Sequence, residues 1–140
     1  MFTLPLMLNG FNHIVIIMTR YEKGKKCLED IQGKSVEEIF KDLDDIAPDL
    51  SRFVIEYPYS EIYTRDGVDL KTREICTVSA LTVLGTIPQL KEHINAALNV
   101  GNTPEEIIEI MMQMSAYCGF PKAINAVMAA KEVFIENGIM

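Results

Sequence analysis

A chain of 140 residues with 49% hydrophobic and 24% charged side chains is within the range of one domain and long enough to bury a sizeable core. A net charge of -7, with no basic stretch denser than Lys23, Lys25 and Lys26, excludes a general nucleic-acid binder, which needs clustered cations against phosphate. The three cysteines, Cys27, Cys76 and Cys118, form no CxxC and no Cys/His ligand spacing, so no metal centre is expected; they read as reduced, mostly buried thiols of a cytoplasmic protein.

Residues 1–19, MFTLPLMLNGFNHIVIIMT, carry no Lys, Arg, Asp or Glu. They lack the basic start and small-residue cleavage site of a secretory signal. A membrane helix needs about 20 apolar residues, and Pro5, Asn9, Gly10, Asn12 and His13 interrupt this stretch. An irregular apolar arm is expected, packed on the body or on a neighbouring subunit; alternatively, Met18 is the biological start. Residues 20–140 read as one all-α domain.

The first helix is predicted over about residues 20–31, stopping near Gly33. Ser35-x-x-Glu38 forms a capping box for a second helix ending near Ile46. Pro48 suits the first turn of a third, which runs to about Tyr63 with Pro58 expected to kink or break it. TRDGVDL, residues 64–70, is then a turn around Asp66-Gly67, with Asp69 as N-cap of the next helix. That helix, LKTREICTVSALTVLG, has no charge between Glu74 and Lys91, so burial nearly all round is expected. Gly85 ends it, Pro88 starts its successor and Gly101 ends that one. Thr103-Pro104-Glu105-Glu106 opens a helix running to about Tyr117, and Gly119-Phe120-Pro121 turns into a last helix ending near Asn137.

Within PQLKEHINAALNVG, Leu90, Ile94, Ala97 and Leu98 make an apolar stripe, and His93 falls inside it while Lys91, Glu92 and Asn95 take the wet side. Glu74 likewise points between Leu70, Val78 and Leu81. A buried ionised carboxylate demands a partner or a shifted pKa. The short Gly85–Pro88 connection makes the two helices antiparallel neighbours, with Glu74 about 15 Å before the turn and His93 about 8 Å after it. Direct contact, a bridging water or substrate, and a partner from another subunit all fit. Periodicity alone is equally served by a core histidine bonded to a carbonyl, and by a Glu74 ion pair with Arg73, Lys71 or another helix. As a pair, the two are the best acid–base constellation in the chain. Tyr117, Cys118 and Lys122 flank a corner that is either a pocket wall or a packed junction, and the methionines of IMMQMSA read as core or subunit interface.

DLKTRE, H-x-x-x-ALNVG-x-T-x-EEI and Y-x-GFP occur here in the order that they have in the carboxymuconolactone decarboxylase family, which residues 20–137 resemble. The resemblance implies an alkylhydroperoxidase D-like helical fold around a central buried helix hairpin, with helices exchanged between subunits of homo-oligomers, trimers or hexamers among them. It implies Glu74 and His93 as catalytic residues. In the thiol-dependent branch a CxxC precedes the motif histidine, but Thr86 and Gln89 stand at those positions here. A peroxidase or disulfide-reductase alternative would therefore need Cys76 and Cys118 as a substitute redox pair, with Cα atoms within about 7 Å. The non-CxxC branch implies cofactor-free decarboxylation of a small anionic substrate such as a carboxylated lactone. His93 would then be proton donor or oxyanion partner, and Glu74 would orient it. Arg73, Lys91, Tyr117 and Lys122 are the candidate substrate contacts. A non-catalytic oligomeric scaffold is a third reading, and neither nucleic acid nor membrane is an expected partner.

Overall fold

The computed structural model describes residues 7–9 and 13–140 of the chain. In the arm, β1 (Met7–Asn9) and β2 (His13–Val15) pair antiparallel, Met7 opposite Val15 and Asn9 opposite His13. This corrects the expected irregular arm: alternating short segments of a charge-free stretch satisfy their backbone groups against each other. The expectation concerning the start at Met18 falls in part on residues outside those described.

From Arg20 onward the described residues are helical: α1 (Arg20–Gln32), α2 (Val36–Asp44), α3 (Pro48–Val54), α4 (Leu70–Leu84), α5 (Ile87–Asn99), α6 (Pro104–Cys118) and α7 (Phe120–Glu136). Their ends follow local chemistry. Thr19 and Glu22 close a full capping box on α1, and Thr103 and Glu106 close one on α6. Asp69 accepts from the Thr72 N–H at 2.7 Å to start α4. Ser35 accepts from the Glu38 N–H at 3.2 Å. Gly33 and Gly85, at φ 68° and 77°, take the left-handed conformation that terminates α1 and α4. Among the described residues no helix is long and apolar enough to cross a membrane.

Pro58 does not break the third helix. Beyond Val54 the chain continues as a π-helix, Ile55–Ile62, closed by the Tyr63 N–H donating to the Pro58 carbonyl at 2.8 Å. The wider turn gives the proline ring the room that an α-helical turn denies it. Gly24 is where α1 crosses this segment: a Cβ there would run into the Ile55 carbonyl oxygen.

Two apolar cores result. One gathers Val78, Leu90, Ile94, Ala97, Ile107, Met111 and the alanines of α7 between α4, α5, α6 and α7. The other joins Leu28, Ile31, Val36, Ile55, Tyr59 and Ala96 between α1, α2, the π-helix and the opposite side of α5. Thus α4 and α5 form the central hairpin, but the expected all-round burial of α4 needs correction. Only Glu74, Val78 and Thr82, one line at i, i+4 and i+8, are buried, while Cys76, Ala80 and Leu84 are exposed. The helices packed against α4 are α5, α6 and α7, and they leave its other sides open. Another uncovered row, Phe120, Ile124, Met128 and Ile135, runs along α7.

Candidate active site

Glu74 belongs to the buried line of α4 and has no exposed surface, whereas the His93 side chain retains 17% exposure. Their functional groups meet directly, His93 Nδ1 lying 2.8 Å from Glu74 Oε2. The two long side chains cover the axial offset across the hairpin. An ionised carboxylate can only accept, so Nδ1 carries the proton and Nε2 is left as the working nitrogen. Among the described residues none hydrogen-bonds Nε2, and none hydrogen-bonds the second carboxylate oxygen, Oε1, which is buried.

The pair lies on the seam between the two cores. Four residues before Glu74, Leu70 packs on the core of α1 and the π-helix; four residues after it, Val78 belongs to the other core. For His93, Ala96 and Ala97 divide in the same way. An apolar environment on both sides strengthens every electrostatic contact made there.

Sequence reasoning did not reach the third side. Tyr59 and Tyr63 stack with ring centroids 4.8 Å apart, and the Tyr63 hydroxyl lies 2.7 Å from Thr77 Oγ1 on α4. Burial, then the neighbouring Tyr63 and the Glu74 charge, push the Tyr59 phenol well above its ordinary range; burial and Glu74 do the same to Tyr63. Cys27, half-buried on α1, is also pushed up, by burial first and then by Asp30 and Glu74. Its thiol is therefore held neutral and weakly nucleophilic. Tyr63 and Cys27 line a cavity of about 290 Å³ with Leu70, Thr64, Lys23 and Lys26. The i, i+4 spacing of the two tyrosines and the lone glycine inside α1 were the signals available for this side.

The other expected site residues are engaged elsewhere. Arg73 ties down the 64–70 turn, its Nε donating to the Val68 carbonyl at 3.1 Å and Nη2 to the Arg65 carbonyl at 3.0 Å. Lys91 pairs with Glu132 of α7. Lys122 Nζ donates to the Val83 carbonyl at 2.7 Å, nine residues along α4 from Glu74, which is about 13 Å of helix. Tyr117 is 77% exposed at the same far end. The corner they share is a helix junction that the Glu74–His93 pair does not reach.

The cysteines also depart from expectation. None is buried; Cys76 is exposed, and Cys27 and Cys118 are partly so. Lys71 of α4 bonds Glu106 of α6 at 2.9 Å, and Ile75 and Ile110 share a cavity wall, so α4 and α6 run side by side in a register of 35 residues. In that register Cys118 lies opposite Val83, about 10 Å along the axis from Cys76. This exceeds the Cα span of about 7 Å that a disulfide allows, which removes Cys76 and Cys118 of one subunit as a resolving pair. Among the described residues no group of three or more His, Cys, Asp or Glu is placed to hold a metal.

The family model for carboxymuconolactone decarboxylases matches residues 48–132, from the start of α3 into the last third of α7. The chain belongs to the carboxymuconolactone decarboxylase family. It is 31% identical to the 4-carboxymuconolactone decarboxylase of Acinetobacter baylyi over 121 residues, 86% of this chain and 90% of that protein. It is 33% identical over 97 residues to an uncharacterized protein of Paracoccus denitrificans, covering 68% of this chain and 72% of the other. A nitrosuccinic acid decarboxylase of Metarhizium robertsii is 25% identical over 113 residues, 80% of this chain and 79% of that one. The family segment holds Glu74, His93, Tyr59, Tyr63 and Thr77, whereas Cys27, Lys23 and Lys26 lie before it.

Proposed function

We propose that the protein is a cofactor-free decarboxylase of a small dicarboxylic acid whose leaving carboxylate sits next to a built-in electron sink. The observation carrying this reading is the 2.8 Å contact between His93 Nδ1 and Glu74 Oε2 on the seam between the cores, with Nε2 left free. The two relatives named decarboxylases supply the substrate class. The unsaturated lactone of 4-carboxymuconolactone and the nitro group of nitrosuccinic acid can each accept the electron pair released with CO2. Each substrate also keeps a second carboxylate.

The carbon–carboxylate bond breaks, CO2 leaves, and its bonding pair moves into the sink, giving a dienolate or a nitronate. Protonation completes the reaction, at the carbon beside the carbonyl in the lactone case. His93 Nε2–H gives that proton, and Glu74 steadies the positive charge that the ring carries beforehand. The ring recovers its proton from solvent. Lys23 and Lys26, on the cavity that Tyr63 and Cys27 line, attract the retained carboxylate; Lys26 is already paired with Asp30 at 2.6 Å, which leaves Lys23 as the better anchor.

The test is CO2 release and loss of ultraviolet absorbance from 4-carboxymuconolactone, with nitrosuccinate in parallel. Turnover of either supports the reading, with KM raised about tenfold and kcat retained in Lys23→Ala, the pattern of a lost ground-state contact. Turnover of neither, beside thiol-dependent peroxide consumption, overturns it. Self-association is part of the same proposal, because the exposed row on α7 and the bare side of α4 set large apolar side chains on the surface in the way that marks a protein interface. Sedimentation of the intact chain should give a trimer or hexamer mass, and a monomer at micromolar concentration sinks that part.

A further inference from the structure

Glu74 accepts one strong hydrogen bond with Oε2, yet Oε1 is buried with no partner among the described residues. A fully buried carboxylate normally satisfies both oxygens, because each unpaired one costs the desolvation of a charged group. The candidate donors are the two stacked tyrosines. Glu74 acts on the Tyr59 phenol through its charge alone. Tyr63 holds its hydroxyl 2.7 Å from Thr77 Oγ1, and Thr77 spends its own proton on the Arg73 carbonyl at 3.1 Å, so Tyr63 is the donor in that pair. Thr77 lies three residues beyond Glu74 on the same helix, where side chains are neighbours. Glu74 acts on the Tyr63 hydroxyl as a hydrogen-bonding neighbour as well as a charge, so rotation about the phenolic C–O bond turns the proton from Thr77 toward the carboxylate.

We infer that Tyr63 is a positioning residue that donates its hydroxyl to Glu74 Oε1 when the pair works, completing a Tyr63–Glu74–His93 chain between the cavity and the proton donor. The inference rests on the reading of Glu74 and His93 as the working pair. Because Tyr63 also lines the cavity, a bound substrate that displaces water from it leaves this hydroxyl as the donor at hand. Donation to Oε1 stabilises the carboxylate most when His93 is neutral, and so eases release of the His93 proton to the substrate. The groups facing this junction are Cys27 from α1, Tyr59 from the π-helix, Tyr63 at its C-terminal end, Glu74 from α4 and His93 from α5, with Lys23, Lys26 and Asp30 around the cavity. Cys27 and the tyrosines are held neutral, so the chain transmits through hydrogen bonds.

The chain has two histidines, His13 and His93, so the ring signals of His93 can be assigned by nitrogen-detected NMR against a His93→Asn control. The experiment follows those signals against pH in the intact wild-type, Tyr63→Phe and Thr77→Val proteins. Tyr63→Phe keeps the stacked ring and should move the His93 titration to higher pH, with kcat about tenfold lower, the worth of one hydrogen bond to a charged group. Thr77→Val removes the competing acceptor and should leave the titration where it is or lower it. Coincident wild-type and Tyr63→Phe curves overturn the inference. If Tyr63→Phe fails to fold, an upward move in Thr77→Val has the same consequence. The NMR readout needs no turnover, so a shifted titration in a protein without decarboxylase activity sinks the proposed reaction and leaves Tyr63 in place.

Discussion

Replacing His93 with Asn is expected to lower kcat/KM for decarboxylation by about 10²- to 10⁴-fold, the contribution of a positioned proton donor. Glu74→Gln should produce a loss of about the same order, because the two act as one unit and the effects of such units do not add. Stability should separate the variants. His93→Ala, unlike His93→Asn whose amide can still donate to Oε2, leaves a carboxylate with no exposed surface and without its one partner, which costs about 3 kcal/mol or more. Glu74→Gln removes the buried charge itself, and a neutral His93 keeps a hydrogen-bonding partner, so its Tm should stay near the wild-type value. Such a split is the signature of a site that holds charge for chemistry, since a group present only for the fold would show its largest deficit in stability. Thermal unfolding beside steady-state kinetics reads both quantities. Full activity in both variants would falsify the roles assigned here.

Gly24→Ala should destabilise the protein by about 3 kcal/mol, a large cost for one methyl group. In an ordinary exposed helix the exchange would stabilise, because alanine is the better helix former. Here the added Cβ runs into the backbone oxygen of Ile55, which cannot turn away as a side chain could. Relief requires α1 to lift from the π-helix, at the cost typical of overpacking. Since Ile55–Ile62 carries Tyr59 and continues into Tyr63, the lift should also disturb the tyrosine wall of the site. Urea unfolding should show the lower midpoint, and near-ultraviolet circular dichroism the altered tyrosine environment. A Gly24→Ala protein as stable as wild type would mean that the two segments approach less closely than described.

The helix order was legible because its signals are local. Thr103-Pro104-Glu105-Glu106, Ser35, Asp69, Gly33 and Gly85 each act within one turn of their own position, and the helices begin and end at them. Glu74 and His93 were legible as a pair because two polar groups on apolar faces of consecutive helices stand out against the stripe. The turn at Pro58 was not, since its outcome depends on whether neighbouring segments leave room for a wider helix. Nor was the occupation of Arg73, Lys91 and Lys122: a cation declares its charge in the sequence, but its partner can lie far away in the chain, as Glu132 does for Lys91.

By itself the sequence determined the all-α body, the hairpin of α4 and α5, the family and the exclusion of a CxxC-type thiol site, because propensity, capping and periodicity are properties of residues close along the chain. Only the tertiary structure decided that His93 touches Glu74 directly, that Tyr63 and Cys27 form the third wall, and that Cys76 and Cys118 of one subunit lie out of reach of each other. These depend on helix crossings, where a single close approach such as Gly24 against Ile55, 31 residues apart in the chain, sets which side chains meet.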